Sequence, residues 1–201
     1  MKVVLPEHIG DIKLFQFQDY DKLLKRELEN IEFNKRKICC FTDLKYHDLK
    51  NVRNKDFEDI LNQIDTALNT EYTFVNRFEL NGINFGFIPN FDKITQGEYV
   101  DLGIYKADEI ETYHNLMAIL FREIKETDRY GNYQIESYKA SEEYVELMKQ
   151  MPLSIVNGAL VFFCNLGNDL LNNSLKYTSK KETQKDKQQA TTSKNGDGIQ
   201  H

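Results

Sequence analysis

Tryptophan is absent, and proline and cysteine occur three times each in 201 residues. Cys39 and Cys40 are adjacent and Cys164 stands alone in an apolar stretch, a pattern that excludes a disulfide scaffold with spaced cysteines. They read as free, mostly buried thiols in a reducing cytosol. The ten glycines are scattered, and neither GxGxxG, GxxxxGK[ST] nor GxSxG occurs, which removes phosphate-cradling loops and nucleophile elbows. The histidines, His8, His47, His114 and His201, form no HExxH and no four-residue pair, and Cys39, Cys40 and His47 match no common zinc spacing. Acidic pairs such as Glu109 with Glu111 and Glu142 with Glu143 suit helix N-termini better than a carboxylate dyad. No catalytic, cofactor-binding or metal-ligating residue is therefore assigned, and the chain reads as non-enzymatic.

Long hydrophobic runs are missing as well. The opening MKVVLPEHIGD is broken by Pro6, Glu7 and Asp11, so it lacks the apolar core of a secretory signal, and residence in the cytoplasm is the expectation. The uncharged stretch 150–168 is interrupted by Pro152, Asn157, Gly158, Asn165, Gly167 and Asn168. A spanning helix needs about 20 continuous apolar residues, so this stretch reads as a buried or partner-facing helix. What the chain does have is acid and aromatics: 32 Asp and Glu against 26 Lys and Arg, a formal charge of -6, 11 Tyr and 13 Phe. Nucleic acid and anionic membranes are poor partners for such a surface, because base stacking is ordinarily accompanied by Lys and Arg on phosphates. Protein contact is the better use of these rings.

Hydrophobic spacing predicts an α+β domain over 1–177, built from five to seven helices. Leu14, Phe17, Tyr20, Leu24 and Leu28 recur at helical steps; Ile31, Ile38 and Phe41 mark a second apolar stretch. Asn54 is the expected cap of a helix carrying Phe57, Ile60, Leu61, Ile64 and Leu68. From 74 to 88 the period becomes alternating around Asn81-Gly82, the dipeptide that best tolerates both positive φ angles of a type I′ turn. This predicts a hairpin with Leu80 opposite Ile83, Phe78 opposite Phe85 and Asn76 opposite Phe87. Thr95 and Glu98 form a capping box for a helix to Leu102, and a longer helix follows from Asp108. Arg122–Lys125 can pair with Tyr133–Tyr138 across Tyr130-Gly131-Asn132, Ser141 starts another helix, and the last runs from Pro152 to about Leu175, apolar nearly all round. Residues 178–201 hold two aliphatic side chains among Lys, Gln, Thr, Ser and Gly, so they read as a disordered polar tail.

An isolated hairpin is marginal in water, so its aromatic face must cover helices or a partner. Phe74, Phe78, Phe85 and Phe87 on the hairpin, with Phe162 and Phe163 on the last helix, are the candidate protein-contact residues; each has a core reading at least as strong. The aliphatic surplus of the last helix also allows a homo-oligomer contact.

The order of certain segments resembles a group of small proteins of tailed bacteriophages. They are Leu5-Pro6, Asp11-Ile-Lys-Leu14, Gln16-Phe-Gln18, Phe85-Gly-Phe-Ile-Pro-Asn90, Ile94-Thr-Gln-Gly-Glu-Tyr-Val-Asp-Leu102, Met117-Ala-Ile-Leu-Phe-Arg122, and Met151-Pro152 before Gly158-Ala159 and Phe162-Phe163. The chain is similar to tail assembly chaperones and to small virion morphogenesis proteins of phages infecting Bacteroidetes, over about Leu5 to Leu171. The resemblance implies a non-enzymatic assembly factor in the host cytoplasm that binds an aggregation-prone phage structural protein, the long helical tape measure among the candidates. Its alternative implication is a structural virion component, a head-tail or capsid-associated subunit retained in the particle.

Overall fold

A computed structural model describes residues 3–105, 109–139 and 141–166, and the chain divides into two units, 1–160 and 161–201. The expected domain end at 177 and the tail beyond it lie outside the described residues. The first unit is α+β, as expected. Helices α1 (Leu14–Leu24), α2 (Asn30–Phe41) and α3 (Asn54–Leu68) come first, then strands β1 (Arg77–Leu80) and β2 (Ile83–Phe87). They are followed by α4 (Gln96–Ile104), α5 (Tyr113–Leu120), β3 (Phe121–Thr127), β4 (Tyr133–Ile135) and α6 (Glu142–Met148). Residues 153–160 close the unit as helix. Among the described residues no helix is long and apolar enough to cross a membrane.

The hairpin forms in the expected register, Leu80 opposite Ile83 and Phe78 opposite Phe85. Asn81 at φ 51° and Gly82 at φ 78° supply the two positive angles of its turn. Only 77–80 and 83–87 are strand, although Phe87 N still donates to Asn76 O at 2.9 Å. The β3–β4 pair also exists, and β3 additionally pairs with β2, so the two hairpins join into one antiparallel meander ordered β1-β2-β3-β4. Gly86 in β2 makes room for this arrangement: a Cβ there would lie 2.4 Å from Tyr133 Cε2. The Tyr133 ring covers the glycine, carries the Arg77 guanidinium 4.7 Å from its centroid, and donates its hydroxyl to Phe87 O at 2.7 Å. Tyr133→Phe is expected to lose about 1 kcal/mol of stability, the net worth of one intramolecular hydrogen bond, read by urea unfolding.

The helix expected to run long from Asp108 is α5, which starts only at Tyr113 after a single 3-10 turn (Ile110–Thr112) and has eight residues against nine in α4. Three other helices also differ from the sequence reading. In α1 the buried residues are Leu14, Gln18 and Leu23, whereas Leu24 is exposed and Leu28 lies past the helix end. Gln18 takes the inward position because its amide lies 3.0 Å from Ile110 O, 3.1 Å from Glu111 O and 3.0 Å from His114 Nδ1. Burial first, and Lys149 second, hold the imidazole below its ordinary value, so it is neutral and able to accept. The second apolar stretch is a full helix, α2, burying Ile38 and Phe41 but leaving Ile31 exposed. The N-cap of α3 is Arg53, not Asn54; its guanidinium bonds both carboxylate oxygens of Asp56, at 2.8 and 2.9 Å. Cys39 and Cys40 are half-buried and Cys164 is exposed, so the expectation of mostly buried thiols fails for the last.

The core lies where these helices meet the sheet, with Leu14, Ile38, Ile64, Leu116, Met117, Leu120, Phe121, Met148, Met151 and Leu153 fully buried. Each such side chain contributes about 1.5–3 kcal/mol by leaving water. A polar strap ties the start of the unit to its end. Leu14 N donates to Met151 O at 2.9 Å and Phe15 N to Lys149 O at 3.0 Å, while Leu153 N donates to Ile12 O at 2.8 Å. Amides at the head of α1, which no turn of that helix can satisfy, are thus met by the carbonyls that follow α6.

Candidate functional site

The hairpin phenylalanines are brought together as core. Phe85 and Phe87 are buried; Phe78 stacks on Phe85 at 5.6 Å and meets Phe121 edge-on at 5.0 Å; Phe74 meets Phe87 edge-on at 5.0 Å. Of the six contact candidates, Phe85 and Phe87 therefore take the core reading, and Phe74 and Phe78 are half-buried against them. Phe162 and Phe163 belong to the second unit, where 161–166 are helical, Phe162 exposed and Phe163 half-buried.

The distinctive surface is α4. Its entry is as the sequence predicts: Glu98 N donates to Thr95 Oγ1 at 3.2 Å and Thr95 N to Glu98 Oε2 at 2.6 Å. It extends two residues past Leu102. The helix is inside out in its chemistry, for its one buried residue is Glu98, while Tyr99, Val100 and Ile104 are 66%, 48% and 58% exposed. A nine-residue helix is marginal by itself, and this one has no inward apolar row to hold it. Polar contacts hold it instead. Glu98 Oε1 lies 2.6 Å from Arg122 Nη2 in a buried ion pair, and the Tyr138 hydroxyl donates to Asp101 Oδ2 at 2.5 Å. Burial chiefly, and Asp101 next, push the Tyr138 hydroxyl well above its ordinary value, so it remains a donor. Burial lowers Arg122 from its ordinary value, with Glu98 opposing that shift.

Beneath α4 is a cavity of about 270 Å³ whose walls include Asp101, Tyr105, Asn115, Arg122, Tyr138 and Glu142. Tyr144 also lines it, with its hydroxyl 2.9 Å from Glu123 Oε2 and 3.2 Å from Glu136 Oε2. A second, more open groove of about 440 Å³ runs between α1 and α2 past Lys22, Arg26, Arg36, Cys39, Cys40 and Lys45. Burial, above all, pushes the Cys40 thiol up to about 11, which keeps it protonated and a poor nucleophile at neutral pH. Among the described residues no group of three His, Cys, Asp or Glu is placed to hold a metal ion.

The capping box of Thr95 and Glu98 is legible in the sequence, but the outward face it supports is not. The signals were present: an acid at the third helical position of a short helix, and Arg122 closing the apolar run Met117-Ala-Ile-Leu-Phe121. A cation ending such a run is either solvated or paired inside, and here it is paired inside. Comparison with protein-family models, with curated proteins and with solved structures finds no match.

Proposed function

We propose that this chain is a non-enzymatic assembly factor of the tail assembly chaperone kind, binding an aggregation-prone phage structural protein through apolar surface. The observation that carries the reading is α4, a helix anchored by polar contacts on its inner side with Tyr99, Val100 and Ile104 turned to solvent. Ordinary surface helices turn their apolar row inward. Reversing that order forgoes burial worth about 1.5–3 kcal/mol for each large side chain until another surface covers it. An acidic body, formally -8 over 1–177, keeps such an exposed row soluble between encounters.

The test is affinity capture from infected cells with the parent chain and with Val100→Ser/Ile104→Ser, beside mass spectrometry of finished particles. The parent should retain a long helical tail protein and the variant should lose it, with unfolding free energy changed by no more than about 0.5 kcal/mol per exposed site. Equal capture by both proteins would refute the α4 reading. Fixed stoichiometry in purified particles would turn the function from transient chaperone to structural virion subunit.

A further inference from the structure

The cavity under α4 is bounded by Asp101 of that helix and by Tyr105, its C-cap, each next in sequence to a member of the apolar row, Val100 and Ile104. Resting on the docking function proposed above, we infer that this cavity receives a cationic side chain, lysine or arginine, from the partner segment that covers α4.

Charge decides the sign of the occupant. Arg122 is cancelled by Glu98 at 2.6 Å, Lys139 lies 2.5 Å from Glu136, and Lys125 lies 2.8 Å from Glu123. Asp101 and Glu142 are left on the walls with no ion-pair partner among the described residues. An anion would meet these carboxylates, and Arg122 has no uncancelled charge to offer it. A cation finds opposite charge in a site with restricted solvent, where it is screened less than at the open surface.

Shape and lining narrow the choice. The cavity, about 270 Å³, falls just below the ~300–1,000 Å³ usual for small-molecule and cofactor sites, which suits one long side chain better than a free ligand. Three tyrosines, Tyr105, Tyr138 and Tyr144, contribute to the walls, and aromatic faces attract cations. Tyr138 already has the Arg122 guanidinium 6.0 Å from its ring centroid. A metal ion is the poorer fit, since no three ligating side chains converge among the described residues. Arg122 forms part of the wall and is nine-tenths buried; its Nε and Glu98 Oε1, both inside the ion pair, are without hydrogen-bond partners, so the pair balances in charge and offers nothing to an anion.

The partner segment thus has a stated chemistry: a basic residue flanked by apolar ones, the former in the cavity and the latter on Tyr99, Val100 and Ile104. Three capped peptides test it by calorimetry with the full chain, Ala-Leu-Xaa-Leu-Phe-Gly with Xaa as Arg, Gln or Glu. The Arg peptide should bind about tenfold more tightly than the Gln peptide, the margin that a partly buried charge pair readily supplies, and the Glu peptide more weakly than both. Asp101→Asn/Glu142→Gln should erase the preference for Arg, whereas Val100→Ser should weaken the Arg and Gln peptides alike. Raising salt on the parent protein should also shrink the preference, which gives an answer even if the double variant does not fold. Equal affinity for the Arg and Gln peptides would overturn the cation site while leaving docking on α4 intact. No binding by any peptide, together with capture unchanged by the α4 variant, would overturn both.

Discussion

Glu98→Ala is expected to destabilise the first unit by about 3–5 kcal/mol, the loss typical of removing one member of a buried ion pair. Glu98 is 2% exposed and Arg122 9%, so the substitution leaves a guanidinium inside with no counter-charge and removes the carboxylate that receives Thr95 N. For a domain of this size each kcal/mol shifts the melting temperature by about 2–4 °C, which predicts a fall of roughly 10 °C in a thermal scan. Glu98→Gln/Arg122→Met should recover much of the loss, because it keeps an oxygen for Thr95 N and removes the stranded charge. If Glu98→Ala costs under about 1 kcal/mol, the pair is not what anchors α4. Partner capture by Glu98→Ala should fall as well, since the outward face of α4 is only as well placed as its inner anchor.

Gly158→Val should cost about 3 kcal/mol, at the upper end of ordinary overpacking. A Cβ at Gly158 would lie 2.7 Å from Thr73 O and 3.0 Å from Phe74 Cα, both main-chain atoms that no rotamer change can move aside. Gly158→Ala should cost less, because alanine's better helix propensity, about 1 kcal/mol, opposes the clash. Chemical denaturation of the two variants distinguishes this close approach from a simple propensity effect. Stabilisation by alanine together with a neutral valine would mean that the 73–74 segment yields freely. The same spacing explains why a glycine interrupts a helix whose neighbours Ala159 and Leu160 are buried.

Local chemistry was legible and long-range choices were not. Asn81-Gly82 dictated a turn type, the turn dictated a register, and Phe78 meets Phe85 as that register requires. Thr95 and Glu98 similarly fixed the start of α4. Pairing of β2 with β3 was missed because α4 and α5 separate them in sequence, so no turn residue announces it. Gln18 was missed for a different reason: periodicity counts apolar residues, and an amide that finds carbonyls at Ile110 and Glu111 is as acceptable inside as a leucine. Exposure of Leu24 and Ile31 follows from which neighbours each helix meets, information that spacing within the helix does not contain. The candidate site fell in the same gap. Hairpin aromatics attract notice by composition, yet their sheet needs them as core, and the open apolar face belongs to a helix with only three prominent members.

The strap between Ile12–Phe15 and Lys149–Leu153 also bears on how the chain is made. During vectorial synthesis the head of α1 leaves the ribosome long before the carbonyls of Lys149 and Met151 exist to receive its amides. The sheet can assemble while that seam is still open, but its ends close only after the segment following α6 has emerged. Closure across nearly the whole unit is a high-contact-order step, slower than local helix or hairpin formation. Until then Leu14, Met151 and Leu153, all fully buried in the finished fold, are available to other apolar chains. The nascent chain thus passes through a stage in which part of its own core is exposed as openly as the outward row of α4.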